Sequence, residues 1–229
     1  MTSSLILADA HTRSDLQVFV ARAARLDDSA IRLVVTGRVL AVSAPVLYPR
    51  GILDRAPTII GFRTFALAES ADVDQVVAPQ EILDRLARLT GTGADVEAGA
   101  AGTGTDGLRL VLPPSSKAVS WAGQSAPRGG WLQTGTVDSA LLEGVAKAGA
   151  SEVAAALPEA AGDHIVQKVR SGVWSRLFDN GQGLPTGAAF AAVGLGFLGA
   201  PESARVFASG SWLRLTTDRG HVLVRTATL

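Results

Sequence analysis

Two glycine patterns in this chain have the spacing G-x-G-x-x-G, which in dinucleotide-binding proteins forms a phosphate-binding turn between a strand and a helix. The first comprises Gly102, Gly104 and Gly107, and the second lies within Gly194–Gly199. The first pattern is followed by LRLVLPP, which is typical of a strand rather than a helix. Its context therefore does not fit a phosphate-binding turn.

The second glycine pattern has a better context. A run of small residues precedes GLGFLG, and Asp218 follows at about the distance of a ribose-binding acid. An NAD(P)-binding oxidoreductase that uses the Gly194–Gly199 loop is therefore one alternative for the function. Only about thirty residues follow Gly199, too few for the parallel strands of such a fold. We therefore favour a packed apolar helix and predict no cofactor.

Few other residues could form a catalytic or metal site. Ser125 in GQSAP begins like the nucleophile elbow G-x-S-x-G, but the final glycine is missing. The histidines are His11, His164 and His221, and Asp9 with His11 would supply only two metal ligands. The chain has no cysteine, which excludes disulfides, thiolate nucleophiles and cysteine-containing zinc sites. We therefore predict no catalytic residue and no metal site.

One segment brings aromatic and basic residues together. Lys117, Trp121, Arg128 and Trp131 fall within PPSSKAVSWAGQSAPRGGW, which holds two of the four tryptophans in the chain. Such residues can bind a peptide, an anion or a nucleotide base, and they form our candidate ligand or partner surface. They can equally pack the junction between two subdomains. We favour this second interpretation, because the cluster straddles the predicted domain boundary.

Composition restricts the partners. Lysine plus arginine and aspartate plus glutamate number 21 each, so no net field attracts nucleic acid or an anionic membrane. The chain is 47% hydrophobic and only 18% charged, which is typical of a folded protein with apolar surface available to a partner. No basic segment precedes an apolar core at the N-terminus. We therefore expect a cytoplasmic protein with protein partners or self-association, and neither membrane nor nucleic acid as a partner.

The N-terminal half predicts a strand, a helix and three strands, twice over. Apolar residues at helical spacing predict a helix over Ser14–Leu26, with Thr12 as its cap. Thr36-Gly37 predicts a tight hairpin between two of the strands that follow. A second helix opens at Pro79. The predicted strands are 4–9, 31–35, 38–43, 58–68 and 73–77, with weaker candidates at 95–98, 108–112 and 117–121.

This order of elements is that of the processivity-clamp fold, and QVVAPQEILDRLARL (Gln75–Leu89) resembles the corresponding stretch of a bacterial sliding clamp. The resemblance covers the N-terminal half and implies clamp-like antiparallel sheets. It implies no functional residue. Clamps line their central channel with basic helices, whereas this second helix carries Glu81 and Asp84 beside Arg85 and Arg88. The resemblance therefore does not imply that the chain encircles DNA.

The C-terminal half predicts several helices and then a three-stranded antiparallel meander. Asp138, Ser151 and Asp163 are predicted helix caps, with Pro158 ending the second helix. An apolar helix is expected over Thr186–Leu198. The strands are predicted at 204–208, 212–217 and 221–226, with Gly220 in a left-handed conformation in the last hairpin loop.

Helices followed by a hairpin also outline a winged helix, which gives a second alternative, a nucleic-acid-associated regulator. The helix that would enter the groove contains no lysine, arginine, asparagine or glutamine, so it could not read base edges. We therefore predict an α+β protein with domains at residues 1–124 and 125–229. Its predicted function is that of a binding or assembly module without catalytic activity.

Overall fold

The chain forms two compact units in the computed structural model, which describes residues 3–51, 53–91, 108–115, 119–158, 162–199 and 203–226. The first unit comprises Met1–Ala44 and Arg63–Ala122, and the second comprises Pro45–Phe62 and Gly123–Leu229. This division differs from the predicted one at residues 1–124 and 125–229. Residues 45–62 belong to the second unit because the first residues of a long strand, Thr58 to Phe62, pair with the last strand of the chain.

The first unit begins with β1 (Ser4–Ile6) and α1 (Ala10–Leu26). The predicted stripe on α1 is confirmed, because its buried residues are Leu16, Phe19, Val20 and Ala23. The helix begins four residues before the predicted start. Its cap is Asp9 rather than Thr12, because the Asp9 carboxylate accepts a hydrogen bond of 2.6 Å from the Thr12 amide.

Two long strands follow, β2 (Ile31–Leu47) and β3 (Thr58–Val77), where shorter strands were predicted. The predicted hairpin at Thr36-Gly37 is wrong, because β2 continues through these residues. The buried positions change phase there, from residues 31, 33 and 35 to residues 40, 42 and 44. Gly37 has a φ of +60°, and a local distortion of this kind shifts the alternation by one residue.

Side-chain contacts indicate the direction of these two strands. The Arg32 guanidinium binds both carboxylate oxygens of Asp74, at 2.8 and 2.7 Å. Arg38, further along β2, donates to the carbonyl of Leu67, which precedes Asp74 in β3. The contacts occur in opposite order along the two strands, so β2 and β3 run antiparallel.

The first unit also contains α2 (Pro79–Gly91) and β4 (Arg109–Val111), and β4 pairs antiparallel with β1. The strand predicted at 95–98 lies outside the described residues. The strand predicted at 117–121 is wrong at its end, because Ser120–Gly123 forms a short 3-10 helix. The Arg32 guanidinium donates to the carbonyl of Ala122 at 2.7 Å, within this same helix.

The second unit contains the greater part of a six-stranded sheet with the order β2-β3-β8-β7-β6-β5. Its own strands are β5 (Leu132–Asp138), β6 (Ser203–Ser209), β7 (Trp212–Thr217) and β8 (Gly220–Arg225). The pairings β5–β6, β6–β7 and β7–β8 are all antiparallel. The predicted meander and the α+β class are therefore confirmed, whereas β5 was not predicted.

Three helices of the second unit are α3 (Ser139–Ala156), α4 (Asp163–Trp174) and α5 (Thr186–Gly194). Ser151 does not cap a helix, because α3 continues through it. Asp163 is the first helical residue of α4 rather than its cap. Trp174 is 1% exposed, and its ring stacks on Phe190 of α5 at 4.3 Å. This contact joins the end of α4 to α5 in the core.

The last hairpin differs from its prediction at Gly220. Thr217 pairs directly with Gly220, so the turn consists of Asp218 and Arg219 alone. Gly220 is not among the residues with positive φ. A Cβ at this position would lie 2.5 Å from the ring of Phe197. Glycine is therefore needed at residue 220 for close packing rather than for a left-handed backbone.

Candidate functional site

The predicted surface of four residues is only partly found. Lys117 lies outside the described residues. Trp121 is 1% exposed and belongs to the core of the first unit. A ring this buried cannot contact a partner, so the structure corrects the prediction for Trp121. Arg128 is exposed and Trp131 is partly exposed in the second unit, and their role as a partner surface stays a prediction.

Trp131 contacts an arginine that the sequence analysis missed. Its indole nitrogen donates to the Pro127 carbonyl at 2.9 Å, which fixes the ring. The guanidinium carbon of Arg214 lies 4.6 Å from the centre of this ring and 4.6 Å from that of Phe207. Arg214 and Phe207 are opposite each other on β7 and β6. Two cation–π contacts therefore hold this guanidinium on one face of the sheet.

Among the described residues, no carboxylate contributes to the pKa shifts of Arg214 and His221 on this face. The pKa of Arg214 is lowered, first by burial and then by the charge of Arg205. Burial also lowers the pKa of His221, and Arg214 and Arg205 lower it further. Among the described residues, the buried Nε of Arg214 has no hydrogen-bond partner. An anion near Arg205 would therefore relieve repulsion between like charges.

A cleft of about 250 Å³ adjoins Arg205 at one end of the sheet. It is formed by the start of α3, the segment after α5, the start of β6 and the turn between β7 and β8. Two guanidinium groups, those of Arg205 and Arg219, line it together with one carboxylate, that of Asp218. The remaining lining residues are Ser139, Phe197, Leu198, Gly199, Ser203, Ala204, Thr216 and Thr217. The cleft therefore has an excess of positive charge.

The second glycine pattern ends a helix and does not form a phosphate-binding turn. The amides of Gly196 and Phe197 donate to the carbonyls of Val193 and Ala192, at 2.9 and 2.8 Å. Gly196 has a φ of +70°, so these bonds form a Schellman motif at the end of α5. A helix precedes the pattern and β6 follows it, which is the reverse of the dinucleotide-binding order. The NAD(P)-binding alternative is therefore contradicted.

The winged-helix alternative is contradicted by burial of α5. Gly187, Ala188, Ala189, Ala191 and Ala192 are all buried in this helix. A recognition helix needs an exposed face that can enter a groove of the DNA. The small residues of α5 instead allow close packing. A Cβ at Gly187 would lie 2.7 Å from Ile59 and 2.9 Å from Trp174.

The strand β5 forms one end of the six-stranded sheet, and the sequence analysis missed it. Leu132 is 75% exposed, and residues 133, 134 and 136 are exposed as well. Its sequence, LQTGTVD, carries no charge before Asp138. A register shift lies between Gln133 and Gly135. The threonines beside a buried Val137 are a weak strand signal, which Gly129 and Gly130 before the strand and Gly135 within it conceal.

The described residues contain no group of three or more His, Asp or Glu side chains able to hold a metal ion. His221 accepts or donates a hydrogen bond of 3.1 Å with Thr216, and His11 lies 3.8 Å from Asp15. Gly123 ends a 3-10 helix, so Ser125 does not follow a strand as a nucleophile elbow requires. Over all the residues that the structure describes, no helix has the length and apolar character needed to cross a bilayer.

Two families match this chain, one in each part of the sequence. Domain of unknown function (DUF8010) matches residues 1–104, and Domain of unknown function (DUF8185) matches residues 126–229. No curated protein matches the chain in sequence. The sequence comparisons therefore give no activity.

Solved structures of DNA polymerase III beta subunits are similar in fold. The Borrelia burgdorferi subunit, solved in complex with a natural product, has a TM-score of 0.50 at 8% identity, over 99% of this chain and 64% of that one. The Caulobacter crescentus subunit gives 0.48 at 12% identity, over 100% of this chain and 66% of that one. The Thermotoga maritima subunit gives 0.47 at 14% identity, over 99% and 65%.

The similarity to the Borrelia burgdorferi subunit defines the class of fold. The Borrelia burgdorferi structure supports a clamp-like α+β fold with antiparallel sheets, and identity at this level transfers no residue role. The chain spans 64 to 66% of the length of these subunits. The expected clamp-like sheets are therefore confirmed as architecture only.

Proposed function

We propose that this chain is a cytoplasmic assembly module without catalytic activity, which associates with a second copy of itself through the open edge of β5. The observation that carries the proposal is the position of β5. β5 is the edge strand beside β6, so one side of its backbone has no partner strand among the described residues. Such an edge can add a strand from another chain through main-chain hydrogen bonds.

The side chains of β5 do little to protect this edge. Proteins commonly block an exposed edge with lysine, proline or inward-pointing charges. β5 has none of these before Asp138, and Leu132 presents an apolar side chain that is 75% exposed. The register shift near Gly135 is the only protective feature of the strand itself.

The sequence of β5 also favours pairing with a copy of itself. In an antiparallel pair of two β5 strands centred on Gly135, Thr134 of each copy would lie opposite Thr136 of the other. Threonine pairs across strands are favourable. Asp138 would lie opposite Leu132, so the two carboxylates would be at opposite ends of the pair. Such an interface is isologous and closes as a dimer.

Light scattering after size-exclusion chromatography tests this proposal. We expect a dimer for the natural chain and a monomer for Leu132→Lys, because the lysines would place charge on both edges. Leu53→Lys is the matched control, since Leu53 is 95% exposed in the same unit but lies outside β5. A natural chain that stays monomeric at all concentrations would refute the proposal. So would a Leu132→Lys variant with an unchanged mass.

That nucleic acid is not a partner stays a prediction. The equal numbers of basic and acidic residues argued against it. The clamp-like fold gives that expectation no support, because the solved structures of similar fold are DNA polymerase subunits. The expectation that nucleic acid is not a partner therefore rests on net charge alone.

A further inference from the structure

We propose that the cleft between α3, β6 and the β7–β8 turn binds a small phosphate ester of a polyol, with Arg205 and Arg219 contacting the phosphate group. This site is separate from the β5 edge, and it uses side chains rather than strand backbone. It also differs from the dinucleotide site that the glycine pattern suggested. The phosphate would contact arginine side chains and not the amides of a glycine-rich turn.

The two arginines of the cleft supply the donors for the phosphate group. Within the described residues, neither guanidinium makes an ion pair or a side-chain hydrogen bond, although both line the same cleft. A guanidinium presents a planar set of donors that matches two oxygens of a phosphate. Two such groups in one cleft are suited to an anion with more than one negative charge.

The β7–β8 turn positions the backbone of Arg219. The Thr217 hydroxyl donates to the Gly220 carbonyl at 3.2 Å and accepts from the Arg219 amide at 3.3 Å. The Arg219 guanidinium lies beside Gly199, where a Cβ would be 3.4 Å from three of its atoms. The turn therefore fixes the backbone of Arg219, so less backbone order has to be gained on binding.

Arg205 has other positively charged groups near it on the same sheet. The charge of Arg205 lowers the pKa values of Arg214 and His221, and within the part of the chain that the structure describes no carboxylate contributes to these shifts. An anion held by Arg205 would therefore interact favourably with Arg214 as well.

Size and the single carboxylate determine the kind of ester. A volume of about 250 Å³ is below the usual range of pockets for larger cofactors. Asp218 would repel the phosphate, but its carboxylate can accept hydrogen bonds from hydroxyl groups of the ester. A phosphate attached to a short polyol uses both features of the cleft.

Isothermal titration with glycerol 3-phosphate, inorganic phosphate and glycerol tests the site. We expect glycerol 3-phosphate to bind most tightly, phosphate to bind more weakly and glycerol not to bind. Arg219→Gln and Arg205→Gln should each weaken binding of both anions by about tenfold, because each removes a charged donor pair. Arg225→Gln is the matched control, since Arg225 lies at the opposite end of β8, paired with Trp212.

Asp218→Asn gives a result of opposite sign. Removing the carboxylate should tighten the binding of inorganic phosphate by about threefold, because it removes a repulsion. The same change should reduce the preference for glycerol 3-phosphate over phosphate. Unfolding curves without ligand would establish that each variant is folded. The proposal is refuted if neither anion binds in a saturable way, or if Arg219→Gln binds as tightly as Arg225→Gln.

Discussion

Alanine at two glycines of α3 should change the stability of the second unit in opposite directions. Gly149 faces the core, and a Cβ there would overlap Cζ3 of Trp174 and lie 3.0 Å from Cη2. Trp174 cannot move aside easily, because its ring is buried and stacks on Phe190. Gly144 lies in the same helix and is exposed, with no atom within 4 Å of an added Cβ.

The magnitudes follow from two opposing effects. Alanine in place of a helical glycine stabilises by about 0.5 to 1 kcal/mol, because the unfolded chain loses freedom. Overpacking of a well-filled core costs about 1 to 3 kcal/mol, and the overlap at Trp174 places Gly149 near the upper end. Gly149→Ala should therefore lower the free energy of unfolding by about 2 kcal/mol. Gly144→Ala should raise it by about 0.5 to 1 kcal/mol.

Urea unfolding measures both effects, followed by circular dichroism and by tryptophan fluorescence. The native far-ultraviolet spectrum of each variant should match that of the natural chain, which would establish that the helix is retained. The reasoning is refuted if Gly149→Ala is as stable as the natural chain. It is also refuted if Gly144→Ala is less stable, because the two glycines would then not differ in the space around them.

Two further predictions concern pH and an ion pair. Because the pKa of His221 is lowered in the folded state, the unfolded chain takes up protons first, and stability should fall as pH drops below the ordinary histidine range. His221→Gln should reduce this loss between pH 8 and pH 5.5 in urea titrations, and an unchanged slope would contradict the prediction. Arg32→Lys should lose the two-point contact with Asp74 and destabilise the first unit by about 1 kcal/mol at neutral pH. The pKa of Asp74 is lowered by this contact, so the difference between variant and natural chain should become smaller in acid, as Asp74 becomes protonated. The part that remains in acid would come from the hydrogen bond between Arg32 and the Ala122 carbonyl.

Local patterns predicted the elements whose structure is determined locally. The stripe of Leu16, Phe19 and Val20 predicted α1, and the alternation in residues 203–225 predicted the meander. The long strands were divided because burial in β2 changes phase at Gly37. A change of phase is also what a hairpin produces. Only the pairing with β3, which is distant in sequence, distinguishes the two cases.

The residues of the candidate site are brought together by strand register and not by a sequence motif, so they could not be predicted as a group. Trp131 was identified from its residue type, but its contact with Arg214 required knowledge that β6 and β7 pair with Phe207 opposite Arg214. The clustering of Arg205 and Arg219 likewise arises from the ends of different strands and from the turn between them. The sequence spacing of these arginines gives no indication that they share a cleft.

The glycine pattern shows why context must accompany a motif. Gly196 is required because the residue after the C-cap of α5 has a left-handed backbone, and Gly199 packs beside the Arg219 guanidinium. Both roles are structural and neither uses the amides to hold an anion. Asp218 nevertheless lines the same cleft as Gly199, as the dinucleotide alternative would require. Gly199 and Asp218 therefore lie close together although the chain does not form a dinucleotide-binding fold.

The two proposed sites share β6 but use different groups. Strand addition at β5 would use backbone groups, which lie in the plane of the sheet, whereas side chains stand perpendicular to it. Thr136 of β5 lies opposite Arg205 of β6, so the cleft and the edge are separated by one strand spacing. An anion bound by the Arg205 side chain would therefore leave the outer backbone of β5 accessible. Failure of either experiment would leave the other proposal standing, because neither site supplies a group that the other needs.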